Sequence, residues 1–254
     1  KDKMVEVIPA GSITENNQGE EITQMFEMYQ SGAKTFTDDK NSIQNSGIMK
    51  LALQYSKTFG GLIMNQPNDK SISGDGKMHE GKVSIQMGVK GIPSMAEEIM
   101  LSRDIELAEY TGGKVHASCI STAKSVDLIR NAKKKGIQIT SDVAIHNLIL
   151  DDNECANFDS LYKVFPPLRQ KSDIKALITG LKDGTIDAIC SDHTPDDVEH
   201  KDREFDNASF GIIGLQTTFS LACQLEKELS IETIISKLAI EPRNILGLDT
   251  PIIA

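Results

Sequence analysis

The sequence predicts an α/β fold in which parallel strands alternate with crossover helices, arranged as an incomplete β/α barrel of about six units. Each segment with strand character is followed by one with helical spacing, and this alternation is typical of parallel sheets. Polar or ionisable residues follow several strands, which favours a barrel over an open sheet, because barrel chemistry gathers at the carboxyl ends of strands. The predicted strands start near residues 5, 34, 62, 114, 137 and 186.

The first half of the chain carries three predicted helices, which end at glycines. Apolar residues recur at helical spacing within 20–30, around 48–55 and within 95–110. Ser94 is the predicted N-cap of the third helix, since Glu97 follows three residues later. The polar, glycine-rich stretch from residue 68 to about residue 91 is too long for an ordinary connection, so we expect it to contain a short helix.

The second half continues the same alternation. A rigid loop over residues 163–169 is centred on two consecutive prolines, and the last predicted strand leads into Asp192 and His193. Together these units predict one domain that spans residues 1–254. The predicted helices cover residues 121–135, 173–181, 210–225 and 231–246.

Composition narrows the classes of function. With 39% hydrophobic and 25% charged residues, the 254-residue chain is typical of a globular protein with a buried core. A net charge of −10 argues against nucleic acid as a partner, because phosphate binding needs a basic face. No apolar run reaches about 18 residues and the start has no apolar signal segment, so we expect neither a membrane span nor a signal peptide. The four cysteines show no paired spacing and predict reduced thiols in a cytoplasmic protein.

Several stretches, taken in chain order, carry a family resemblance. Thr37-Asp38-Asp39 resembles the family motif Ser-Asp-Asp-Gly, and Ile145-His146-Asn147-Leu148 resembles Pro-His-His-Leu. Residues 162–169 resemble Lys-Val-Asn-Pro-Pro-Leu-Arg, and residues 183–195 resemble Asp-Gly-…-Asp-His-Ala-Pro-His. Lys201 together with residues 211–216 resembles Lys…Gly-Ile-x-Gly-Leu-Glu. Because they cover nearly the whole chain in the family's order, the chain resembles the dihydroorotases, cyclic amidohydrolases of pyrimidine synthesis.

The resemblance implies a (β/α)8 barrel of the metallo-dependent hydrolase type, with zinc at the strand ends and a small-molecule substrate, dihydroorotate. It implies that Asp192 is the aspartate that moves the proton and that Asp39 is a metal ligand. It also implies that the family's first two barrel strands, its His-x-His pair and its flanking β-sandwich lie outside this chain. A six-stranded portion would leave two bare sheet edges, so we expect a homo-oligomer or a larger parent protein.

Several positions depart from the family pattern. Gln66 and Cys119 stand where the family has metal-binding histidines, Phe165 where it has a substrate-binding asparagine, and Asp196 where it has histidine. The strand ends then offer Asp39, Cys119 and Asp192 as metal ligands. Catalytic zinc usually takes mostly histidine, and about three negative charges on one ion would weaken its power to make hydroxide. The resemblance therefore implies zinc, whereas the ligand set of this chain leaves open that zinc binding has been lost.

Each candidate residue also has a structural interpretation. Asp192 is either the proton shuttle or a hydrogen-bonded strand-end residue, and Asp39 is either a ligand or an N-cap or loop carboxylate. Cys119 is either a ligand or a small buried side chain. His193 holds a substrate oxygen or makes a structural hydrogen bond, and Arg169 binds substrate or anchors the Pro-Pro loop through several carbonyls.

Two functions remain open at this point. The first is a dihydroorotase-like enzyme, weak or inactive as this chain because its metal site is degraded. The second is an inactive paralogue that serves as a structural partner of aspartate transcarbamoylase. Both follow from the resemblance and its departures.

Overall fold

In a computed structural model, residues 7–250 of the chain are described. The strands are β1 (Thr35–Phe36), β2 (Leu62–Asn65), β3 (Met78–His79), β4 (Gly91–Ile92), β5 (Lys114–Ala117), β6 (Ile139–Ala144) and β7 (Ala188–Cys190). The α-helices are α1 (Met25–Gln30), α2 (Ser46–Lys57), α3 (Lys70–Ser73), α4 (Lys82–Met87), α5 (Ser94–Thr111), α6 (Ala123–Lys134), α7 (His146–Ile149), α8 (Lys171–Lys182), α9 (Val198–Lys201), α10 (Thr218–Cys223), α11 (Ile231–Ile235) and α12 (Glu241–Leu246). Short 3-10 turns span Glu15–Asn17, Asp152–Asn157 and Ser160–Tyr162, and a π-helical turn, Ser236–Ile240, joins α11 to α12.

The main sheet is parallel, with strand order β1-β2-β5-β6-β7. Helices connect its strands, so the predicted α/β fold is confirmed as part of a β/α barrel. Within residues 7–250, β1 and β7 do not pair with each other and the sheet stays open. The carboxyl ends of all five strands therefore meet along one curved edge.

The strand predicted near residue 5 is wrong for those of its residues that the structure describes. Residues 5 and 6 lie outside the described residues, and residues 7–10 are not in a strand. A single parallel bridge at Gly11 pairs with Phe36 instead, through amide and carbonyl bonds to Thr35 and Thr37. A Cβ at Gly11 would lie 2.7 Å from the Phe36 ring, so glycine permits this close approach.

Most predicted helices are confirmed, with shifts at their ends. Pro93, and not Ser94, is the N-cap of α5. The predicted helix over residues 210–225 begins only at Thr218, because the segment before it packs against the chain after β7. There a side chain at Gly211 or Gly214 would collide with the carbonyl oxygens of Thr194 and Ser191.

The glycine-rich excursion holds α3 and α4, which confirms the expected helix, and also a small parallel sheet of β3 and β4. The principal core lies between the main sheet and its helices, around side chains such as Ile63, Leu101 and Val143. A second apolar cluster joins the excursion to the loop over residues 163–169, through Met78, Val164 and Leu168. The excursion thus fixes the Pro-Pro loop beside the strand ends.

No helix among the described residues is both long enough and apolar enough to cross a bilayer.

Candidate functional site

Three of the predicted site residues lie just beyond the carboxyl ends of alternate strands of the sheet, in the same unusual backbone conformation. Asp39 follows β1, Cys119 follows β5 and Asp192 follows β7, with φ values of 54°, 52° and 43°. Non-glycine residues seldom adopt this left-handed region, since Cβ crowds the backbone. Such strained residues cluster at functional sites, so the conformation marks this edge of the sheet as the candidate site.

Lys40 supplies a positive charge at this edge of the sheet. Its ammonium donates to the Asp192 carboxylate and, at 3.2 Å, to the carbonyl oxygen of Phe165. Burial opposes the charge on Lys40, but Cys119, Asp192 and Asp39 together raise its pKa above the ordinary value. The side chain is therefore a fixed cation at neutral pH.

Asp192 is mostly shielded, with a side-chain exposure of 11%. Burial raises its pKa, and the nearby charge of Lys40 offsets only part of that effect. On its other side lies His146, whose Nε2 is 3.9 Å from the second carboxylate oxygen of Asp192. Asp192 thus lies between an ammonium and an imidazole.

His146 is a buried histidine whose two ring nitrogens have no hydrogen-bond partner among residues 7–250. Burial, and secondarily the charge of Lys40, lowers its pKa to about 3. The ring is therefore neutral at physiological pH and offers one donor and one acceptor. Unpaired buried polar atoms of this kind are uncommon in proteins and often belong to sites.

Cys119 contacts residues of the two following strands of the sheet, β6 and β7. Its Sγ lies 3.6 Å from Sγ of Cys190, the last residue of β7, and its amide donates to Oδ1 of Asp142 at 2.7 Å. Cys190 Sγ is 3.4 Å from that same carboxylate oxygen. Cys190 is half-buried and belongs to this group.

His116 completes the surroundings of Asp142. Its Nε2 lies 3.0 Å from Oδ2 of Asp142, and its Nδ1 lies 2.8 Å from the Thr140 hydroxyl. Burial would raise the pKa of Asp142, but His116 and the Cys119 amide hold it below the ordinary value. Asp142 is thus a carboxylate held in a fixed orientation.

The predicted zinc ligands do not come together as a set. Among the described residues, two groups have all their ligand atoms within 4.8 Å of one another, namely Cys119–Asp142–Cys190 and the exposed Asp196–Asp197–His200. Asp39 is exposed and Asp192 is paired with Lys40, so neither shares a group with Cys119. A second cation beside Asp192 would be repelled by the ammonium. This arrangement does not fit a catalytic zinc held by Asp39, Cys119 and Asp192.

His193 and Arg169, the predicted substrate contacts, are placed in structural hydrogen bonds. His193 Nδ1 accepts from the amides of Gly214 and Leu215 at 3.2 and 3.3 Å. Arg169 is buried and donates to the Ser121 hydroxyl and the Ile92 carbonyl, both at 3.0 Å. Its other contacts are His79 and Glu97, at 3.1 and 3.6 Å.

A cavity of about 330 Å³ opens beside the Lys40–Asp192 pair. Lys40, Lys70 and Asp192 give it charged walls, and Phe165 and Phe210 give it an apolar side. Neither His193 nor Arg169 is among its lining residues. The cavity has the size and chemistry of a pocket for a small polar molecule.

Sequence reasoning missed Lys40, His146, Asp142 and Cys190 as members of the site. Asp142 and Cys190 carried a usable signal, since both lie at the ends of predicted strands. Lys40 follows a strand end too, but nothing in the local pattern shows that its side chain reaches across to β7.

Comparison with known proteins identifies the family to which the chain is similar. A model of the family described as "Dihydro-orotase-like" matches residues 1–125. The chain is 43% identical over 255 residues to the dihydroorotase of Thermoanaerobacter sp. (strain X514), an alignment that covers 99% of this chain and 59% of the relative. It is 43% identical over 247 residues to the dihydroorotase of Pelotomaculum thermopropionicum, covering 96% of this chain and 58% of the relative. The chain thus spans about three-fifths of the length of these relatives.

Solved structures show the same fold at low identity. L-hydantoinase from Arthrobacter aurescens superposes with a TM-score of 0.78 at 20% identity, covering 94% of this chain and 55% of that one. D-hydantoinase from Thermus sp. superposes with a TM-score of 0.74 at 21% identity, with the same coverage. These structures support the barrel architecture. The dihydroorotases named above are more similar to this chain in sequence, at 43% identity. The chain therefore belongs to the dihydroorotase family.

Proposed function

We propose that the protein is a dihydroorotase-like member of pyrimidine biosynthesis whose strand-end cavity binds a small anionic substrate but hydrolyses it weakly or not at all. The substrate class is dihydroorotate and its ring-opened form, carbamoyl aspartate. Family membership supports the substrate class, and the cavity beside Asp192 has the volume for it.

The observation that carries this proposal is the ion pair between Lys40 and Asp192. The resemblance makes Asp192 the group that accepts and returns a proton, which requires a carboxylate free to reach the substrate. Here the ammonium of Lys40 holds one oxygen of that carboxylate and already neutralises its charge, as a divalent cation would otherwise do. The pair thus removes both the mobile base and the place for a metal beside it.

The chain's own residues still favour ligand recognition. Lys40 and Lys70 line the cavity and attract a carboxylate, whereas Asp192 opposes it on one side only. Phe165 and Phe210 supply an apolar wall for the flat face of a ring.

The test measures binding and turnover separately, with the complete protein. We expect calorimetric titration to detect dihydroorotate or carbamoyl aspartate binding, and Lys40→Met to weaken it. We expect no turnover stimulated by added zinc in the same preparation. Turnover near the ordinary enzyme rate of about 10 s⁻¹ with zinc would contradict the proposal. The Thermoanaerobacter relative is the positive control for the assay.

The same ion pair favours the second candidate, an inactive paralogue that acts as a structural partner. Aspartate transcarbamoylase is the partner that the resemblance suggests, and we propose it on that ground alone. Co-sedimentation of the two purified proteins tests it, and a complex in the absence of substrate turnover would support the structural role.

Three further proposals concern the setting of the chain. We expect the protein in the cytoplasm, and we expect a homo-oligomer because β1 and β7 are the edges of an open sheet. We also propose that residues 1–254 form one barrel region that belongs to a single domain. Analytical ultracentrifugation tests the oligomer directly.

A further inference from the structure

Three adjacent strands of the sheet bring two thiols and one carboxylate together. We define these residues, Cys119 after β5, Asp142 in β6 and Cys190 at the end of β7, as the thiol–carboxylate cluster. The main-chain pairing of the three strands fixes their spacing, since β5 pairs with β6 and β6 pairs with β7. The cluster is therefore held by the sheet and not by a flexible loop.

The spacing of the cluster matches a tetrahedral metal site. Zinc binds thiolate sulfur at about 2.3 Å and carboxylate oxygen at about 2.0–2.2 Å, so tetrahedral angles place two sulfurs about 3.8 Å apart and sulfur and oxygen about 3.5–3.7 Å apart. The Sγ atoms of Cys119 and Cys190 are 3.6 Å apart, and Cys190 Sγ is 3.4 Å from Asp142 Oδ1. The third pair of ligand atoms lies within 4.8 Å. Little movement is needed to admit an ion.

We propose that Cys119, Cys190 and Asp142 form a binding site for a thiophilic divalent cation, with zinc as its ligand. Two sulfurs and one carboxylate oxygen fill three tetrahedral positions, and a water fills the fourth. This ligand set differs from Asp39, Cys119 and Asp192, which the sequence suggested.

The surroundings of the cluster suit a bound cation. His116 lies 3.0 Å from the distal oxygen of Asp142, and it is itself fixed by Thr140, as an outer partner of a metal ligand commonly is. Cys190 is half-buried, which leaves a route from solvent. Lys40 is among the charges that act on Cys119, so its ammonium opposes a cation here, and the three anionic ligands have to outweigh that repulsion.

The charges of the cluster indicate a structural role for the ion. Two thiolates and one carboxylate give three negative charges on a divalent ion, which makes a bound water a poor source of hydroxide. What such an ion does is hold the ends of β5, β6 and β7 together. Metal binding by this cluster is therefore a property additional to the proposed function, and it can be present whether or not the proposed function is correct.

The experiment measures zinc and cobalt binding by the complete reduced protein after removal of metal by a chelator. We expect one zinc per chain after dialysis, a near-ultraviolet thiolate-to-cobalt charge-transfer band when Co²⁺ is the probe, and a higher thermal midpoint with zinc. Cys190→Ser and Cys119→Ser should each lower zinc affinity by about 100-fold or more and remove most of the band. His116→Gln should lower affinity by about 10–100-fold, as outer-partner changes do.

Matched controls are available in the same chain. Cys155→Ser is the control for the buried Cys119, and Cys223→Ser is the control for the half-buried Cys190; neither should change metal binding. Circular dichroism checks that each variant is folded, and Asp142→Asn tests the site without touching a cysteine. The proposal fails if folded wild-type protein shows no thiolate band with Co²⁺. It also fails if Asp39→Asn or Asp192→Asn abolishes zinc binding and Cys190→Ser does not.

Discussion

The ammonium of Lys40 donates to the carboxylate of Asp192 although 152 residues separate them along the chain. The contact spans the open sheet from the end of β1 to the end of β7, the two edge strands. It links the first and last strands of the sheet where no main-chain pairing does. The pair therefore has consequences for stability as well as for the site.

Replacing Lys40 by methionine should destabilise the fold. Asp192 would be left shielded without its cation, and breaking a partly buried ion pair costs about 1–3 kcal/mol in the free energy of unfolding. Urea denaturation at pH 7 measures this difference. Lys90→Met is the matched control, because the Lys90–Asp75 pair is exposed and should contribute nothing measurable. Recovery of stability in Lys40→Met/Asp192→Asn would show that the loss comes from the pair; no recovery would argue against it.

Stability should fall in mild acid because of two buried histidines. The pKa of His79 is lowered to about 4, first by burial and then by Arg169, and that of His146 is lowered to about 3. Both rings are neutral in the fold, whereas the unfolded chain takes up protons near pH 6.5, so stability is complete above pH 6.5 and is lost toward pH 4. Between pH 7 and pH 5 the free energy of unfolding should drop by about 2–4 kcal/mol for the two together.

Urea denaturation of His79→Gln and His146→Gln at both pH values tests this dependence. Each variant should remove about half of the difference between pH 7 and pH 5. Buried carboxyl groups with raised pKa, such as Asp104 and Asp192, act in the opposite direction, because the folded state binds their protons first. A stability that stays constant from pH 7 to pH 5 would contradict the assignment of neutral buried histidines.

Gly214→Ala should disturb the loop that carries Asp192. A Cβ at this position would collide with the carbonyl oxygen of Ser191, so the backbone must move, at a cost of about 2 kcal/mol or more. Gly136→Ala is the control, since Gly136 has a left-handed φ of 78° and no atom within 4 Å of its would-be Cβ. It should cost only about 1 kcal/mol, from backbone conformation alone. Equal losses in the two variants would show that the Ser191 contact does not constrain the loop.

Arg169→Met should unfold or strongly weaken the protein, since its side chain is an anchor. Its guanidinium joins Ser121, Ile92 and Glu97 in a buried setting, and removing one partner of a buried charge typically costs about 3–5 kcal/mol. Arg130→Met is the control, because Arg130 pairs with Asp127 and Asp183 near the surface and should cost less than about 1 kcal/mol. If Arg169→Met kept wild-type stability and lost substrate binding, the substrate-contact interpretation would be correct instead.

The regular part of the fold was predictable because local patterns determine it. Short apolar runs bounded by glycines marked the five strands of the main sheet, and helical spacing marked α2, α5, α6 and α8. The helix predicted to start at residue 210 failed for a reason that lies elsewhere in the chain. Gly211 and Gly214 are needed for close approach to Thr194 and Ser191, which follow β7 in the chain.

The sequence predicted where the candidate site lies, but it did not predict which side chains of the site contact one another. Polar residues at strand ends correctly placed Asp39, Cys119 and Asp192 along one edge. The partners of these residues depend on strand order and on side-chain reach, which the linear sequence does not display. Cys190 joins Cys119 across the end of β6, and Lys40 extends to a strand on the far side of the sheet.

The left-handed turns at Asp39, Cys119 and Asp192 imply more than a marked location. Glycine would adopt each of these turns without the roughly 1–2 kcal/mol per residue that a Cβ costs there. Three glycines would therefore allow the same backbone path at a lower conformational energy. The carboxyl group of Asp192 and the thiol group of Cys119 are accordingly explained by what their own atoms contact, and the fold bears the added energy of keeping them at the strand ends.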